Sequence, residues 1–457
     1  MSNNTQDTII GLATPFGTSG IAVLRISGDD AVAITKKLCK PIQLTPQKVH
    51  LCHLWTPDHS KKLDEVCLLY FKAPHSFTGE EVIEVHCHGN PLVIRNILTA
   101  YLSLGVRAAE NGEFSKRAFI NGKMDLTKAE AIADLIHAKS EEGTQVSLSH
   151  LSGSLYRKLM SIRAELMTLL EHIEASIDFP DEVDTIDPIY FKNTISKSLD
   201  YVQSSLKHQD YGKRIFAGIK CLILGYPNAG KSSLLNTLLG EKRALVSDIA
   251  GTTRDFIDAQ LELEGFIFEF IDTAGIHETK DTIEKMGIEK IQELSQKADI
   301  ILWVIDSQKD LQKDEIHYIE TSVQNKDIPI IAVLNKCDLG SIKLSTDQAI
   351  FKGKPLHYIS TKTEDGFEKL KNELINQAQL PQESVNPDLI CNARQIGCIQ
   401  QIHSALTEIQ KSISSHIEHD IIAVDIKQCI AKIGEITGST LTEEVLDGIF
   451  SRFCVGK

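Results

Sequence analysis

The chain has 457 residues and a formal net charge of −14, and 42% of its residues are hydrophobic and 24% charged. This length suits about three domains of ordinary globular composition. The acidic balance argues against binding of nucleic acid over a broad surface, because neutralisation of phosphates by Lys and Arg supplies most of that affinity. An RNA contact would be a local patch or would come through a partner.

The sequence also bounds the cellular setting. No apolar stretch is long enough to cross a bilayer, and the N-terminus has no signal-peptide pattern, so we expect a cytoplasmic protein with no membrane partner. Ten cysteines are scattered without a Cys-x-x-Cys pair. This pattern is typical of reduced intracellular thiols rather than of a disulfide framework or a zinc site.

Residues 1–122 predict an α+β domain. Two runs have helical spacing, at 29–40 and 92–104. His86 and His88 share one face of a strand, but no third or fourth metal ligand is obvious, so we interpret them as a strand-end pair. The predicted strands are Ile21–Ile26, Val66–Phe71 and Glu81–His86.

Helical periodicity follows this domain. Apolar residues from Leu155 to Ile177 recur at gaps of three and four, which predicts an amphipathic helix in a bundle. Pro180 ends it, because proline lacks the N–H donor. Helical patterns return near the C-terminus. We therefore predict one helical domain made of residues 123–217 and 381–457, with a domain of residues 218–380 inserted into it.

The inserted domain opens with a phosphate-binding loop. Gly225-Tyr-Pro-Asn-Ala-Gly-Lys-Ser232 fits G-x-x-x-x-G-K-[ST], between the apolar run Ile219–Leu224 and a helical pattern. This arrangement turns backbone N–H groups and the positive end of a helix toward phosphates. In the motif, Lys231 reaches the β- and γ-phosphates, which makes it a catalytic candidate, and Ser232 places its hydroxyl on Mg²⁺.

Two later motifs indicate that the base is guanine. Asn335-Lys-Cys-Asp338 follows an apolar run, and a carboxylate at Asp338 can accept two hydrogen bonds from the N1 and N2 edge of guanine. Adenine lacks both donors, so an unpaired carboxylate would penalise ATP. Ser360-Thr-Lys362 follows another strand-like run and fits the last guanine-contact loop.

Two segments between these motifs fit the switch elements of a GTPase. Asp272-Thr-Ala-Gly275 follows the strand-like Phe266–Ile271, which places Asp272 to support Mg²⁺ and Gly275 to sense the γ-phosphate. Gly251-Thr-Thr-Arg-Asp255 fits the first switch loop, with Thr253 as the second protein ligand of Mg²⁺. The order of the motifs predicts a Ras-like P-loop GTPase domain.

The motifs leave the attacking water without an obvious partner. Many regulatory GTPases carry Gln directly after Asp-x-x-Gly to orient it, whereas this chain has Ile276, which cannot hydrogen-bond. Asn228 is a candidate to hold a monovalent cation against the phosphates through its amide oxygen. Glu284 is a candidate to orient the water, although the pattern alone favours a solvated helix carboxylate there.

The last residues stay apolar almost to the terminus, at Phe450, Phe453 and Val455, which predicts that they dock rather than fray. Cys454 among them is a candidate nucleophile. No activating base is evident from the sequence, so the pattern alone leaves that role open.

The nucleotide motifs, the segments 121–126 and 129–131, and the ending Cys454-Val-Gly-Lys457 together resemble the MnmE (TrmE) family of tRNA-modifying GTPases. The family usually has Ile where this chain has Val455, and some relatives have Thr at Ser247. The resemblance spans the whole chain. It implies a homodimer that joins an MnmG-type flavoprotein in a heterotetramer. Together they would add an aminomethyl or carboxymethylaminomethyl group at C5 of the tRNA wobble uridine.

The resemblance also implies how the nucleotide is handled. K⁺ would neutralise charge where two GTPase domains meet across the nucleotide, with ligands on Asn228, Ser247, Ile249 and Thr252. Glu284 aligns with the water-orienting carboxylate of the family, which reverses the interpretation from the pattern alone. The GTP-binding positions are Asn228, Ala229, Gly230, Lys231, Ser232, Ser233, Ser247, Asp248, Ile249, Ala250, Gly251, Thr252, Thr253, Asp272, Thr273, Ala274, Gly275, Asn335, Lys336, Asp338, Ser360, Thr361 and Lys362.

A second ligand follows from the resemblance. The methylene carbon would come from 5-formyl- or 5,10-methylene-tetrahydrofolate, bound by the N-terminal domain. The matching positions are Arg25, Glu84, Lys123 and Lys457. Three cations and a carboxylate suit a ligand with a pterin ring and a glutamate tail. Cys454 matches the C-terminal Cys of the family.

Two other functions remain open on the motifs. A ribosome-assembly GTPase shares the Asn228-type phosphate loop, although it would usually carry a basic RNA-binding domain, which this acidic chain lacks. A nucleotide-gated scaffold with slow hydrolysis would share the binding motifs, but not the turnover that depends on K⁺.

Overall fold

The structure is a computed structural model that describes residues 7–179, 181, 187–207, 209–240, 259–272, 291–323, 328–340, 349–378, 389–390, 392–414 and 419–456. The chain divides into two compact units. One comprises Met1–Ile136, Leu148–Val202 and Gly397–Lys457, and the other His137–Ser147 and Gln203–Ile396. The boundaries predicted at residues 122, 217 and 380 stay predictions.

In the described part of the first unit, six strands form one mixed sheet in the order β3-β4-β5-β2-β1-β6. Its neighbouring strands are antiparallel except for the parallel pair β1 and β6. The predicted strands and helices of this region are confirmed, and β1, β3, β6 and α3 are additional. The elements are β1 (Ile9–Leu12), β2 (Ser19–Ser27), α1 (Ala31–Lys37), β3 (Val49–Trp55), β4 (Lys62–Phe71), β5 (Val82–Gly89), α2 (Pro91–Ser103), β6 (Arg107–Ala108) and α3 (Glu113–Ile120).

This sheet has one face in the core and one face that carries polar groups. Leu24 on β2 and Val85 on β5 are fully buried in a cluster that includes Ile94 and Ile97 of α2. Because alternate strand residues point to opposite faces, the residues next to them point the other way. The sheet thereby presents Arg25 and its neighbours on the face opposite α2.

Four helices follow in the described part of the chain, and the longest of them packs through an apolar stripe. They are α4 (Leu126–His137), α5 (Glu141–Leu151), α6 (Ser154–Asp178) and α7 (Pro188–Lys207). The predicted stripe of α6 is buried from Leu155 to Ile173, whereas Ile177 is 43% exposed. The stripe therefore ends one turn before the helix does.

The second unit contains a doubly wound sheet in the order β12-β11-β10-β7-β9-β8. All of its described neighbouring strands are parallel except the hairpin pair β8 and β9. Apolar clusters cover both faces, as a parallel sheet requires. The elements are α8 (Gln209–Ala217), β7 (Ile219–Gly225), α9 (Lys231–Leu239), β8 (Ala259–Leu263), β9 (Phe266–Asp272), β10 (Ile300–Asp306), α10 (Lys313–Ser322), β11 (Ile330–Asn335), β12 (Leu356–Tyr358) and α11 (Phe367–Gln377).

Three more helices follow among the described residues, and from Gly397 onward they belong to the first unit: α12 (Ala393–Ser414), α13 (His419–Thr437) and α14 (Glu443–Phe450). Helix α13 packs along α6, and Phe450 of α14 joins Leu126 of α4 and Phe453 in an apolar cluster. The prediction that the last residues dock is thereby confirmed. Across the described ranges, no helix combines the length and the apolar character needed to cross a membrane. The fold is the predicted combination of an α+β domain, a helical domain and a Ras-like P-loop domain.

Candidate functional site

The phosphate-binding loop links β7 to α9 at the carboxyl edge of the parallel sheet, which is where ligands bind in this architecture. Asn228 has a φ of 65° and Gly230 a φ of 98°. Backbone in the left-handed region bends successive N–H groups toward one concavity, which is a nest for anions. A Cβ at Gly230 would overlap the amide nitrogen of Asn335. Glycine is therefore required there both for its left-handed backbone and for the close approach of Asn335.

Lys231 begins α9 and is 6% exposed. Its Nζ donates to the carbonyl oxygen of Gly225 at 2.9 Å. Burial lowers the pKa of Lys231, and the negative charge of Asp272 opposes that shift. The Lys231 ammonium donates to an uncharged carbonyl oxygen. A phosphate, which is negatively charged, would bind the ammonium more strongly.

A magnesium position is suggested by Ser232 and Asp272. The hydroxyl of Ser232 donates to Oδ2 of Asp272 at 2.8 Å, next to the start of α9. Hydroxyl and carboxylate oxygens are the ligands that Mg²⁺ prefers, with phosphates and water completing the octahedron. The two side chains therefore fit a shared magnesium ion.

Asn335 joins three segments of the site and is fully buried. Its Nδ2 donates to the carbonyl oxygen of Ala229 at 3.0 Å. Its Oδ1 accepts from the backbone N–H of Lys336 at 2.8 Å and from that of Thr361 at 3.2 Å. One amide thus sets the separation between the phosphate loop and the two guanine motifs.

Lys336 adds a second link. Its backbone has a φ of 67°, and its Nζ donates to the carbonyl oxygen of Asn228 at 2.8 Å. The same Nζ lies 2.7 Å from Oδ2 of Asp306, at the end of β10. The sequence interpretation did not single out Asp306. An acidic residue at the carboxyl end of a buried strand, between two nucleotide motifs, was the available signal.

Asp338 is oriented by Ser360. The hydroxyl of Ser360, which is 1% exposed, donates to Oδ1 of Asp338 at 2.7 Å. Its oxygen also accepts from the backbone N–H of Lys362 at 3.2 Å and from that of Thr363 at 3.1 Å. A carboxylate fixed in this way can present its free lone pairs to the edge of guanine. The geometry supports the predicted base-reading role.

Several predicted site residues lie outside the described residues. They are Ser247, Asp248, Ile249, Ala250, Gly251, Thr252 and Thr253 of the first switch, Thr273, Ala274, Gly275 and Glu284 of the second, and Lys457.

A second group of predicted residues meets on the polar face of the first sheet. Arg25 and Glu84 are cross-strand partners, and Nη2 of Arg25 lies 2.9 Å from Oε1 of Glu84. The guanidinium carbon lies 5.1 Å from the ring centre of Phe77 and 5.7 Å from that of Phe114. The planar guanidinium of Arg25, the carboxylate of Glu84 and the two phenylalanine rings therefore lie together.

The C-terminal segment reaches the same place. Arg25 donates through Nη1 to the carbonyl oxygen of Gly456 at 3.4 Å. The backbone N–H of Gly112 donates to the carbonyl oxygen of Cys454 at 3.3 Å, and Val455 pairs with Asn111. Cys454 is exposed. The structure therefore places the candidate thiol two residues before Gly456, which contacts Arg25.

Lys123 is connected to this group through the loop of residues 74–80. Its Nζ donates to the carbonyl oxygen of Pro74 at 2.8 Å, while Phe77 of the same loop faces Arg25. The hydroxyl of Thr78 lies 2.7 Å from that of Ser27, and both are fully buried. The buried hydroxyl pair anchors the loop to β2, close to Arg25.

The histidine pair has local partners. His86 Nε2 lies 3.3 Å from Oε2 of Glu84, and His88 Nδ1 lies 2.8 Å from Oδ1 of Asp64. Within the described residues, no group of three or more His, Cys, Asp and Glu side chains could hold a metal ion.

The orientation of Asp338 leads to a prediction. We expect Ser360→Ala to weaken guanine-nucleotide binding about tenfold, because the carboxylate loses the donor that holds it, a loss of about 1–1.5 kcal/mol. Thr363→Ala is the matched control, since the exposed Thr363 hydroxyl bonds to Asp365. Titration with a fluorescent guanine nucleotide measures both variants. Equal affinities for Ser360→Ala and Thr363→Ala would contradict the orienting role.

Comparison with known proteins gives whole-chain relationships. Residues 126–454 match the model of the MnmE helical domain, and residues 8–123 match that of the N-terminus of the GTP-binding protein TrmE. The protein named tRNA modification GTPase MnmE from Alkaliphilus oremlandii is 38% identical over 99% of this chain and 99% of its own length. Its namesake from Thermotoga maritima is 39% identical over 99% of this chain and 100% of its own length.

Among solved structures, the G domain of the T. maritima FeoB iron transporter is 22% identical. It covers 35% of this chain and 99% of its own, with a TM-score of 0.28. Assignment to a family depends on the whole-chain relatives and on the family model that matches more than half of the chain. On those grounds, the chain belongs to the MnmE family, whose relatives are named tRNA modification GTPases.

Proposed function

We propose that this GTPase hydrolyses GTP to GDP and phosphate in a K⁺-activated cycle that drives modification of the wobble uridine of tRNA. It would act as a cytoplasmic homodimer with an MnmG-type flavoprotein in a heterotetramer, adding an aminomethyl or carboxymethylaminomethyl group at C5. The observation that carries the proposal is the relationship to tRNA modification GTPases along the whole chain, combined with a site built to read guanine.

In this proposal the nucleotide is held from both ends. The loop N–H groups and Lys231 bind the phosphates, and Asp338, oriented by Ser360, accepts from the base. Ser232 and Thr253 would hold Mg²⁺, which, when bound, neutralises charge on the β- and γ-phosphates. Asn335 hydrogen-bonds to Ala229 and to Thr361, which would hold the phosphate-binding and base-binding halves of the site together around GTP.

The hydrolytic step needs a group that orients the attacking water, because Ile276 cannot hydrogen-bond to it. We assign the cation ligands to Asn228, Ser247, Ile249 and Thr252, and orientation of water to Glu284. K⁺, when bound, would supply positive charge beside the phosphates. Asn228 supports this assignment because its backbone is left-handed and its carbonyl oxygen is bonded to Lys336, so the residue is held in place in the loop.

Removing the Asn228 amide tests the cation assignment. We expect Asn228→Ala to lower the K⁺-stimulated turnover about 10²-fold, as loss of one charge-stabilising group does. Turnover in Na⁺ should stay unchanged. Phosphate release at matched ionic strength measures the effect, and nucleotide titration checks that GTP still binds. The same K⁺ stimulation in the variant would remove Asn228 from the cation site.

The one-carbon donor would bind on the first sheet. We assign it to Arg25, Glu84, Lys123 and Lys457, with Cys454 on the adjoining segment. Arg25 faces two aromatic rings and Glu84 lies beside it, which suits a flat pterin ring with N–H donors. Lys123 is exposed and suits the anionic glutamate tail. Tetrahydrofolate, when bound, would supply the methylene carbon.

Calorimetry with 5-formyltetrahydrofolate tests this site. We expect Arg25→Ala to weaken binding at least tenfold, because a charge-assisted hydrogen bond is lost and Glu84 loses its partner. Arg95→Ala, which changes an exposed arginine of α2, is the control and should bind like the wild type. Circular dichroism confirms that both variants fold. Absence of heat with the wild-type dimer would rule the ligand out.

The process itself is tested by nucleoside analysis. We expect bulk tRNA from cells without this chain to lack 5-aminomethyl-type wobble uridines. The wild type should restore them, and Asp338→Asn should not, because an amide cannot accept both hydrogen bonds from guanine. Asp310→Asn, at an exposed carboxylate, is the control and should restore them. Unchanged uridines together with defective ribosomal subunits would favour a role in ribosome assembly.

A further inference from the structure

The nucleotide-binding unit includes a segment from far upstream in the chain. Residues His137–Ser147 group with the second unit, although the sheet begins only at Ile219. Val146 belongs to the apolar cluster that contains Ile215 and Phe266. The segment is therefore part of the core of the nucleotide-binding unit.

An ion pair joins this segment to the hairpin β8–β9. Glu269 on β9 is 1% exposed, and its Oε1 lies 2.5 Å from Nζ of Lys139. Gln260 on β8 donates to the same oxygen at 3.1 Å. A buried carboxylate without a partner is strongly destabilising. The ion pair therefore stabilises the contact between Lys139 and the hairpin.

The carboxylate of Glu142 lies against the turn of the hairpin. Gly265 at the turn has a φ of 81°, and a Cβ there would overlap the carboxylate of Glu142. Oε2 of Glu142 is buried and finds no hydrogen-bond partner in the part of the chain that the structure describes. Such a contact is unfavourable for a carboxylate and would be relieved if the turn moved.

The segment is anchored independently of the hairpin. The hydroxyl of Ser140 donates to the carbonyl oxygen of Ile215 at 3.1 Å and accepts from the backbone N–H of Gly143 at 3.0 Å. Ser140 is buried. The backbone that carries Lys139 and Glu142 is therefore held in place by contacts that do not involve the hairpin.

The opposite end of the hairpin lies at the nucleotide site. Strand β9 runs from the turn to Asp272, which bonds to Ser232 in the phosphate loop. In sequence, the hairpin connects the two predicted switch segments. Strand β9 is paired with β8 from Phe266 to Phe270, which gives a hydrogen-bonded path between the turn and the strand end at Asp272.

We propose that Lys139 and Glu142 form a clamp that senses the nucleotide state through the hairpin β8–β9 and passes it along α5. Helix α5 begins at Glu141 and continues to Leu151, beyond the second unit. Lys139 and Glu142 act as positioning residues, since neither lies at the reacting phosphates.

Hydrogen exchange on the full-length wild-type protein tests the clamp without any tRNA. We expect amides of residues 139–147 to exchange at least threefold differently with GDP and with a non-hydrolysable GTP analogue. The peptide that contains Asp272 should change in the same comparison. Equal exchange of residues 139–147 in both states, with a change at Asp272, would overturn the proposal.

Variants then test transmission, a step that rests on the proposed role in tRNA modification. We expect Lys139→Met to keep GTP affinity and turnover within about threefold, but to lower the yield of modified uridine per GTP hydrolysed at least fivefold. Lys139→Arg, which keeps the ion pair, should restore the yield. Lys197→Met removes an exposed pair with Glu165 and is the matched control.

An unchanged yield per GTP in Lys139→Met would also overturn the clamp. If Lys139→Met does not fold, the exchange comparison on the wild type decides alone. If the wild type modifies no uridine, the proposed function fails, while the exchange result on the clamp still stands.

Discussion

The buried amide of Asn335 is the interaction on which the nucleotide site depends. It donates to the phosphate loop at Ala229 and accepts from both guanine motifs, at Lys336 and Thr361. These three segments lie on different loops, and backbone hydrogen bonds between β11 and β12 and the link from Lys336 to Asn228 help to hold them together. The Asn335 side chain contacts all three through one donor group and one acceptor atom, and its burial removes competition from water for these hydrogen bonds.

The same logic explains why Gly230 and Lys336 take left-handed backbone. Gly230 must come close to the Asn335 amide, which leaves no room for a Cβ. Lys336 must turn back over the phosphate loop to reach Asn228 and Asp306. The two residues bring the loops into contact, and the parallel sheet below them, buried on both faces, supplies a rigid platform.

Much of this site was predictable because its motifs are local. Each motif follows a recognisable apolar run, so its place at the sheet edge follows from the strand pattern. The residues placed in this way are those of the phosphate loop, Asp272, Asn335, Asp338 and Ser360. Strand β3 was missed because histidine and cysteine interrupt the apolar residues of Val49–Trp55, and six of its seven residues are exposed or half-buried, as an edge strand allows.

Contacts between distant segments were not predictable in the same way. The orienting hydroxyl of Ser360 and the link from Lys336 to Asp306 depend on how loops meet in space. The attachment of residues 139–142 to the hairpin depends on a register that no periodicity encodes. Arg25 and Glu84 were named only through the family resemblance, and their pairing requires the alignment of β2 with β5.

The docking of Gly456 beside Arg25 bears on biosynthesis. These two residues are separated by 431 positions in the chain, and Gly456 packs so closely against Leu12 that a side chain there would overlap the backbone. The N-terminal sheet leaves the ribosome first, but its polar face is not complete until translation has passed Gly456. A product shortened by a premature stop codon would lack the bridge between Asn111 and Val455, the contact of Gly456 with Arg25, and the thiol of Cys454.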